Sequence, residues 1–552
     1  MRDRVIVIGA GIGGLSAAMR LAARGCDVLV LERAAEVGGK MRTLPSAAGP
    51  VDAGPTVLTL RDVFEELFVA CGTTLTEHVT LEPLVVLARH HWADGSALDL
   101  YADPEQSEAA IRAFAGGAAA AAFYDFHRDT ARLFDAFDAP MMRASAPTLW
   151  GMTGVVARDP SLIPAMAPGR TLAGALARRF DDPRLRQLFG RYATYVGGDP
   201  TASPALLSLI WQAESRGVWS VAGGMHRLAA AMRTVLEGLG AHVICDTHVD
   251  RIEQTGGHVS AIHAGGTRHP CDVAVFNGDP AALHRGLLGP VRLPARAVSP
   301  RSLSAFVWSF AARVTGRPPT HHNVFFADTP NSEFPEIGLG LLPSDPTLYV
   351  CAQDRGDGPA PEGAERFEII VNGPPRAATA PNPEEMEQCR ETTFLRLARM
   401  GLTFDITPET DRLTTPEGFA TLFPASDGSL YGRSPHGTLA AFARPTARTA
   451  LPGLYLAGGG THPGAGLPMA ALSGKLAAEA ICTDLASTSP SRRTAMPGGM
   501  STGSAPAAPA PSRSSPSSAP SSRPGIVGAD GATPTTTSAS TSSPTAGAVA
   551  GR

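Results

Sequence analysis

Near the amino terminus, Arg4-Val5-Ile6-Val7-Ile8 runs into Gly9-x-Gly11-x-x-Gly14, and Leu15, Ala18, Leu21 and Ala22 then recur at helical spacing as far as Gly25. That order reads as strand, tight turn, helix. The glycines suit a phosphate ligand: Gly9 permits a sharp turn, Gly11 lets a pyrophosphate approach the backbone, and Gly14 lets the helix lie close to the strand. Gly13 belongs to the same loop, and the helix start offers N–H groups and the positive end of its dipole. A second apolar run, Asp27-Val28-Leu29-Val30-Leu31, ends at Glu32, about 20 residues downstream, where a carboxylate can accept the hydroxyls of an adenosine ribose.

Two further stretches fit the same ligand. In Glu36-Val37-Gly38-Gly39-Lys40-Met41-Arg42, the paired glycines allow a second close approach of backbone, with Lys40 or Arg42 beside phosphates or ring carbonyls. The turn Gly54-Pro55-Thr56 follows. Near the far end, Leu454-Tyr455-Leu456-Ala457 meets Gly458-Gly459-Gly460-Thr461-His462-Pro463 and runs through Met469 into a helix expected over 470–483. An apolar strand again reaches glycines at a helix start, which brings a second dipole end to the cofactor. His462 is the one candidate base or electrostatic helper there; its alternative is a turn histidine that holds the backbone.

These sites need a frame. Met225, Leu228, Ala229, Met232, Leu236 and Leu239 make a helical stripe that Gly240 stops, a strand is expected over 241–245, and 271–279 reads as another buried strand. Three separated pieces thus rebuild one doubly wound α/β sheet, and the material between them is inserted. The boundaries expected are 1–84, 217–295 and 428–486 for the cofactor part, with 85–216 as a mainly helical insertion and 296–427 as its sheet part, a mixed α+β substrate domain. In the helical insertion Phe123, Phe126, Phe134 and Phe137 fall on apolar faces, and Thr171 is an expected N-cap. In the sheet part Asn382, Pro383 and Glu385 form an expected helix start with a capping box. The segment 149–166 is apolar yet broken by Gly and Pro, which fits a tunnel mouth or membrane-dipping loop as well as a buried helix and loop.

Composition excludes several classes. A net charge of −4 without a long basic run argues against nucleic acid as a partner. Seven scattered cysteines without a CxxC pair fit free thiols in a reducing compartment. No run reaches the roughly 18 apolar residues that a membrane span needs, so cytoplasmic residence is expected. Hydrolase triads in chain order, HExxH and the Walker A loop are missing. His90-His91 and His321-His322 are neighbours whose side chains should point apart on a strand, so no metal is expected. Residues 487–552 are rich in Ser, Thr, Pro, Ala and Gly without an aromatic residue, and are expected to be disordered.

The paired glycines with Lys40, the stretch Val51 to Val57 and the glycine-rich return together resemble the amine-oxidase-like flavoproteins, in particular the carotenoid desaturases. The blocks Gly190 to Pro200, Leu209 to Glu214, Gly217 to Met225, Pro55 to Thr59 and Phe134 to Pro140 are similar to bacterial hydroxyneurosporene desaturases, which are 1-hydroxycarotenoid 3,4-desaturases. The resemblance covers roughly residues 1 to 485. It implies one FAD held by both ends of the chain, through Gly9, Gly11, Gly13, Gly14, Glu32, Gly39, Lys40, Thr56, Gly459, Gly460 and Met469, with the backbone of Val249 at the adenine. It implies hydride transfer from a hydrophobic carotenoid to flavin, oxygen or quinone as electron acceptor, and peripheral association with the inner membrane. A phytoene desaturase, an amine oxidase and a flavin-free prenyl-binding module on the same scaffold are the alternative readings.

Overall fold

The computed structural model describes residues 2–289, 291–356 and 358–493. In it β1 (Arg4–Ile8), α1 (Ile12–Ala23) and β2 (Asp27–Leu31) form in the order that the glycine spacing predicts. The strand β1 is central in a five-stranded, all-parallel sheet ordered Leu454–Leu456, Val273–Phe276, β1, β2, His242–Ile244. Its residues Val5 to Ile8 are all buried, as a parallel strand covered on both faces requires. On one face Val5 and Val7 pack with α1 and with the helices His226–Gly238 and Leu467–Arg493. On the other, Ile6 and Ile8 meet Ile252 and Ile262 of an antiparallel meander formed by Val249–Thr255, His258–Ala264 and Thr267–Pro270. The three separated pieces therefore do rebuild one doubly wound sheet.

The inserted material carries a seven-stranded sheet ordered Leu413–Thr414, Ser304–Ala312, Glu365–Gly373, Leu348–Ala352, His322–Phe325, Val86–His91, Ala97–Tyr101. The segment 85–216 is mainly helical as expected, but the last two strands of this sheet add to that reading. That segment opens with a hairpin which completes the sheet, and helices begin only at Pro104–Ala115. The strand Val86–His91 hid from a periodicity reading because His90 and His91 are both buried, so no polar-to-apolar alternation marks it.

Local chemistry accounts for the helix ends. Thr171 Oγ1 accepts from the Gly174 N–H (3.2 Å), and the Asn382 side chain accepts from the Glu384 N–H (3.0 Å). Glu385 does not close the expected capping box. Its carboxylate pairs with the Arg376 guanidinium instead, a charge-assisted bond that outcompetes a backbone N–H. The stretch 149–166, read as either a tunnel mouth or membrane-dipping loop or a buried helix and loop, begins with the helix Leu149–Arg158, which has no buried residue and which Thr148 caps through the Gly151 N–H (2.9 Å). The last helix, Leu467–Arg493, is longer than expected at both ends and passes the point where the tail was expected to begin. The rest of that tail, 494–552, lies outside the described residues. Among the described residues no helix is long and apolar enough to cross a membrane.

Candidate functional site

The phosphate loop is shaped by contact with the opposite end of the chain. Gly9 has φ +98°, a left-handed conformation that favours glycine, and a methyl group on Gly14 would collide with the Gly9 carbonyl oxygen. A methyl on Gly11 would stand 2.8 Å from Asn277 Nδ2, and one on Gly13 would stand 2.6 Å from the Gly458 nitrogen. Gly13 is thus fixed by the glycine-rich return as well as by any phosphate. No side chain caps α1, and its first turn holds no acidic residue, so the dipole end is left for an anion.

Glu32 is buried at the tip of β2. It accepts from the Ala10 N–H (2.6 Å) and the Ala34 N–H (2.8 Å), which orients the carboxylate beside the loop and leaves lone pairs for a ribose. The segment with Gly39 lies on the same loop: the Gly38 N–H donates to the Ala10 carbonyl (2.8 Å), and a methyl on Gly39 would come within 3.1 Å of the Gly11 Cα. Val249 is buried at the start of the meander, and Thr247 next to it donates to the Glu32 carbonyl (2.8 Å). Glu32 and the start of the Val249 strand are therefore neighbours.

Lys40 is enclosed. Its ammonium donates to the Leu430 carbonyl and lies over the Phe423 ring, and no carboxylate among the described residues forms a salt bridge with it. Burial lowers its pKa to about 8. Arg444 donates to the Gly459 carbonyl (2.9 Å), and burial lowers it to about 10. Two desolvated cations beside the glycine-rich return fit an anionic ligand. Thr461 Oγ1, buried and without a hydrogen-bond partner, is another polar atom waiting for one. Gly460 packs where a methyl would meet Pro280 Cδ at 2.5 Å, and Met469 packs against the helix layer over the parallel sheet. These features fit FAD, with segments from both chain ends meeting at the phosphate loop.

His462 sits in that return with its Nε2 donating to the Ala144 carbonyl (2.9 Å) and its N–H donating to the Pro445 carbonyl (2.8 Å). Burial lowers its pKa, which keeps the ring neutral. The ring thereby ties the return to the helical insertion.

Sequence reasoning missed what faces the cofactor loop. The seven-stranded sheet turns one face toward the segment containing Arg42 and Thr56: Tyr349 Oη bonds Thr56 Oγ1 (2.8 Å) and His322 Nδ1 (2.7 Å), and Arg42 donates to Thr414 Oγ1 (2.6 Å). Across that face the register aligns His322, Cys351, Glu368 and Ser309, all buried. Neither carboxyl oxygen of Glu368 has a hydrogen-bond partner, nor has Ser309 Oγ. Burial, reinforced by the Asp52 carboxylate and opposed by Arg42, raises Glu368 well above the usual carboxylate range. In the sequence the only signal was Glu368 inside the apolar run Phe367 to Val371.

The expectation that His321 and His322 point apart is corrected. His321 lies on the bend before its strand, where alternation has not begun, and the two rings meet edge-on with centroids 4.5 Å apart. Their nitrogens and Cys351 Sγ lie within 4.8 Å of one another. His321 Nδ1 bonds the Arg355 carbonyl (2.5 Å).

A two-ended dinucleotide cradle beside a mixed seven-stranded sheet fits an FAD-dependent oxidoreductase. Comparison with known proteins agrees. The model of the flavin containing amine oxidoreductase family matches residues 12–307 and 422–482. The chain is 56% identical over 490 residues, 88% of its length and 99% of the relative, to a hydroxyneurosporene desaturase of Cereibacter sphaeroides. It is 53% identical to that of Rhodobacter capsulatus, covering 87% of this chain and 98% of the relative. An oxidoreductase from Methanosarcina mazei shares the fold, with TM-score 0.56 at 17% identity over 86% of this chain and 100% of that one. The chain belongs to the flavin containing amine oxidoreductase family, and within it to the carotenoid desaturases of the hydroxyneurosporene desaturase type.

Proposed function

We propose that this chain is an FAD-dependent desaturase that introduces the C-3,4 double bond into a 1-hydroxycarotenoid of the hydroxyneurosporene type. The observation that carries the reading is similarity at 45–56% identity to three hydroxyneurosporene desaturases along nearly their whole length. FAD, when bound, supplies the hydride acceptor at flavin N5. The chain's own residues bind, orient and dry the site. Lys40 and Arg444 offset negative charge, Thr56 and Tyr349 fix the cofactor loop against the substrate sheet, and the apolar residues of that sheet exclude water. His462 serves to position the glycine-rich return, because its Nε2 is committed to the Ala144 carbonyl.

Membrane contact is part of the reading. The helix Leu149–Arg158 has no buried residue, and Trp150 is 88% exposed, with Leu149 and Ile163 also exposed. An interfacial Trp beside aliphatic residues suits a helix resting in lipid headgroups, from which an oily substrate enters without crossing water. Residence at the cytoplasmic side of the inner membrane, with oxygen or quinone as acceptor, completes the reading.

The test is to present hydroxyneurosporene in liposomes to the FAD-loaded protein, with oxygen in one series and a quinone under anaerobic conditions in the other. A shift of carotenoid absorbance to longer wavelength, with a 3,4-unsaturated product, is expected. Recovery of unchanged carotenoid in both series would overturn the proposal. A His462→Ala variant with undiminished turnover and FAD content would restrict that residue to backbone geometry.

A further inference from the structure

The row His322, Cys351, Glu368, Ser309 is polar in a sheet whose opposite face is the apolar layer of Phe306, Trp308, Val350 and Ile369. The next row on the polar row's own face reads Val324, Tyr349, Ile370, Val307, Thr414. Within the polar row the members differ in how far they are spent. His322 Nδ1 bonds Tyr349 Oη while its buried Nε2 has no partner, and Cys351 Sγ stands 3.7 Å from His321 Nε2. Glu368 and Ser309, directly paired across neighbouring strands, have no partner at either carboxyl oxygen or at the hydroxyl, and both are fully buried. Buried polar groups are nearly always satisfied, so three orphaned oxygens at one spot mark a place where something polar belongs.

The chemistry of the spot selects the ligand. Enclosed near Asp52, the Glu368 carboxyl holds its proton, so it offers one donor and one acceptor instead of a charge. An alcohol has the same complement, and Ser309 Oγ can rotate to give or take a further bond. A hydrocarbon would leave all three oxygens unmet. The spot also lies on the sheet face that Tyr349 ties to Thr56 of the cofactor loop. In a 1-hydroxycarotenoid oxidised between C-3 and C-4, the hydroxyl is likewise only a few bonds from the reacting carbons.

We infer that Glu368, with Ser309 beside it, forms the subsite that receives the tertiary hydroxyl of the substrate end group and so sets which end of which carotenoid is oxidised. This rests on the proposed reading that the substrate is a 1-hydroxycarotenoid. Both residues are specificity determinants: they hold the hydroxyl and leave the flavin to accept the hydride.

The experiment compares FAD-loaded wild type, Glu368→Leu, Glu368→Gln and Ser309→Ala on two liposome-borne substrates, hydroxyneurosporene and the same hydrocarbon without the hydroxyl. The readout is the ratio of the two kcat/KM values, with flavin content measured on each preparation. Wild type is expected to favour the hydroxylated substrate strongly, because a site built to bond a hydroxyl rejects the analogue that lacks it. Glu368→Leu should lower that ratio at least tenfold and Ser309→Ala about threefold, the loss appearing chiefly in KM. Glu368→Gln, which keeps a donor and an acceptor, should retain most of it. A ratio unchanged in Glu368→Leu, or an equal loss on both substrates at normal flavin content, would overturn the inference. If Glu368→Leu does not fold, an unchanged ratio in Ser309→Ala overturns it. Failure of wild type to form a 3,4 bond in either compound would instead defeat the proposed function itself.

Discussion

Gly13 and Gly458 come from opposite ends of the chain and touch so closely that a methyl on the first would lie 2.6 Å from the nitrogen of the second. Gly13→Ala should therefore push the return away from the phosphate loop. Overpacking of this kind costs about 1–3 kcal/mol, and the strain falls on the two segments that hold the cofactor. Purified Gly13→Ala should be soluble but bind FAD about 5- to 100-fold more weakly (~10-fold per 1.4 kcal/mol) and so retain less flavin absorbance than wild type. Full yellow colour would show that the return can yield.

Glu32 accepts two backbone N–H bonds while facing the expected ribose. Glu32→Gln puts an amide N–H where one of those donors points and removes the charge. Charge-assisted bonds of this type contribute about 1.5–3 kcal/mol each, so FAD affinity should fall by a factor on the order of ten to a hundred. Titration of apoprotein with FAD, followed by flavin fluorescence quenching, measures it.

Glu214 is buried with the Arg191 guanidinium, and its carboxylate also accepts from Tyr192 Oη (3.0 Å) and Tyr195 Oη (2.5 Å). Removing one partner of such a pair leaves the other charge stranded. Glu214→Leu should cost about 3–5 kcal/mol of stability, whereas double replacement with Arg191→Met should cost less. Denaturant titration of the two variants checks the order.

Glu333 is buried and accepts from the Thr347 N–H (3.1 Å), and burial raises its pKa from about 4.5 to about 7. The native state then keeps a proton that the unfolded chain releases, so this group's contribution to stability falls as pH rises through the window between those values. Glu333→Gln removes that dependence. Its stability relative to wild type should therefore grow between pH 5 and pH 8, by on the order of 1–3 kcal/mol. Thermal melts of both proteins across that range measure the difference; a constant gap would contradict the assignment.

The cofactor half was legible because its demands are local. A turn with Gly9 at positive φ, a helix start without a cap and an acid at a strand tip each leave a mark within a few residues. The need for Gly13 was also visible, but its partner Gly458 was not, since that contact exists only after the chain closes on itself. The substrate side was less legible. In the hairpin from Val86 to Tyr101 the first strand buries its residues in adjacent pairs and so showed no alternation, whereas in Ala97–Tyr101 only Leu98 and Leu100 are buried, a run too short to stand out. Glu368 looks like an outward-facing residue of a strand until register places it opposite Cys351 and Ser309. The blocks around Tyr192 and Glu214 drew notice through family likeness, and the structure adds that they bond to each other.

The parallel sheet has a consequence for biosynthesis. Its central strand is made first, yet one of its edges is Leu454–Leu456, which leaves the ribosome only after nearly all the described residues have been translated. The emerging protein must keep an aliphatic strand and a glycine loop unsated throughout elongation. Capture of the vitamin-derived cargo by both chain ends therefore waits for that late strand to emerge, and a premature stop before it should yield a product without bound flavin.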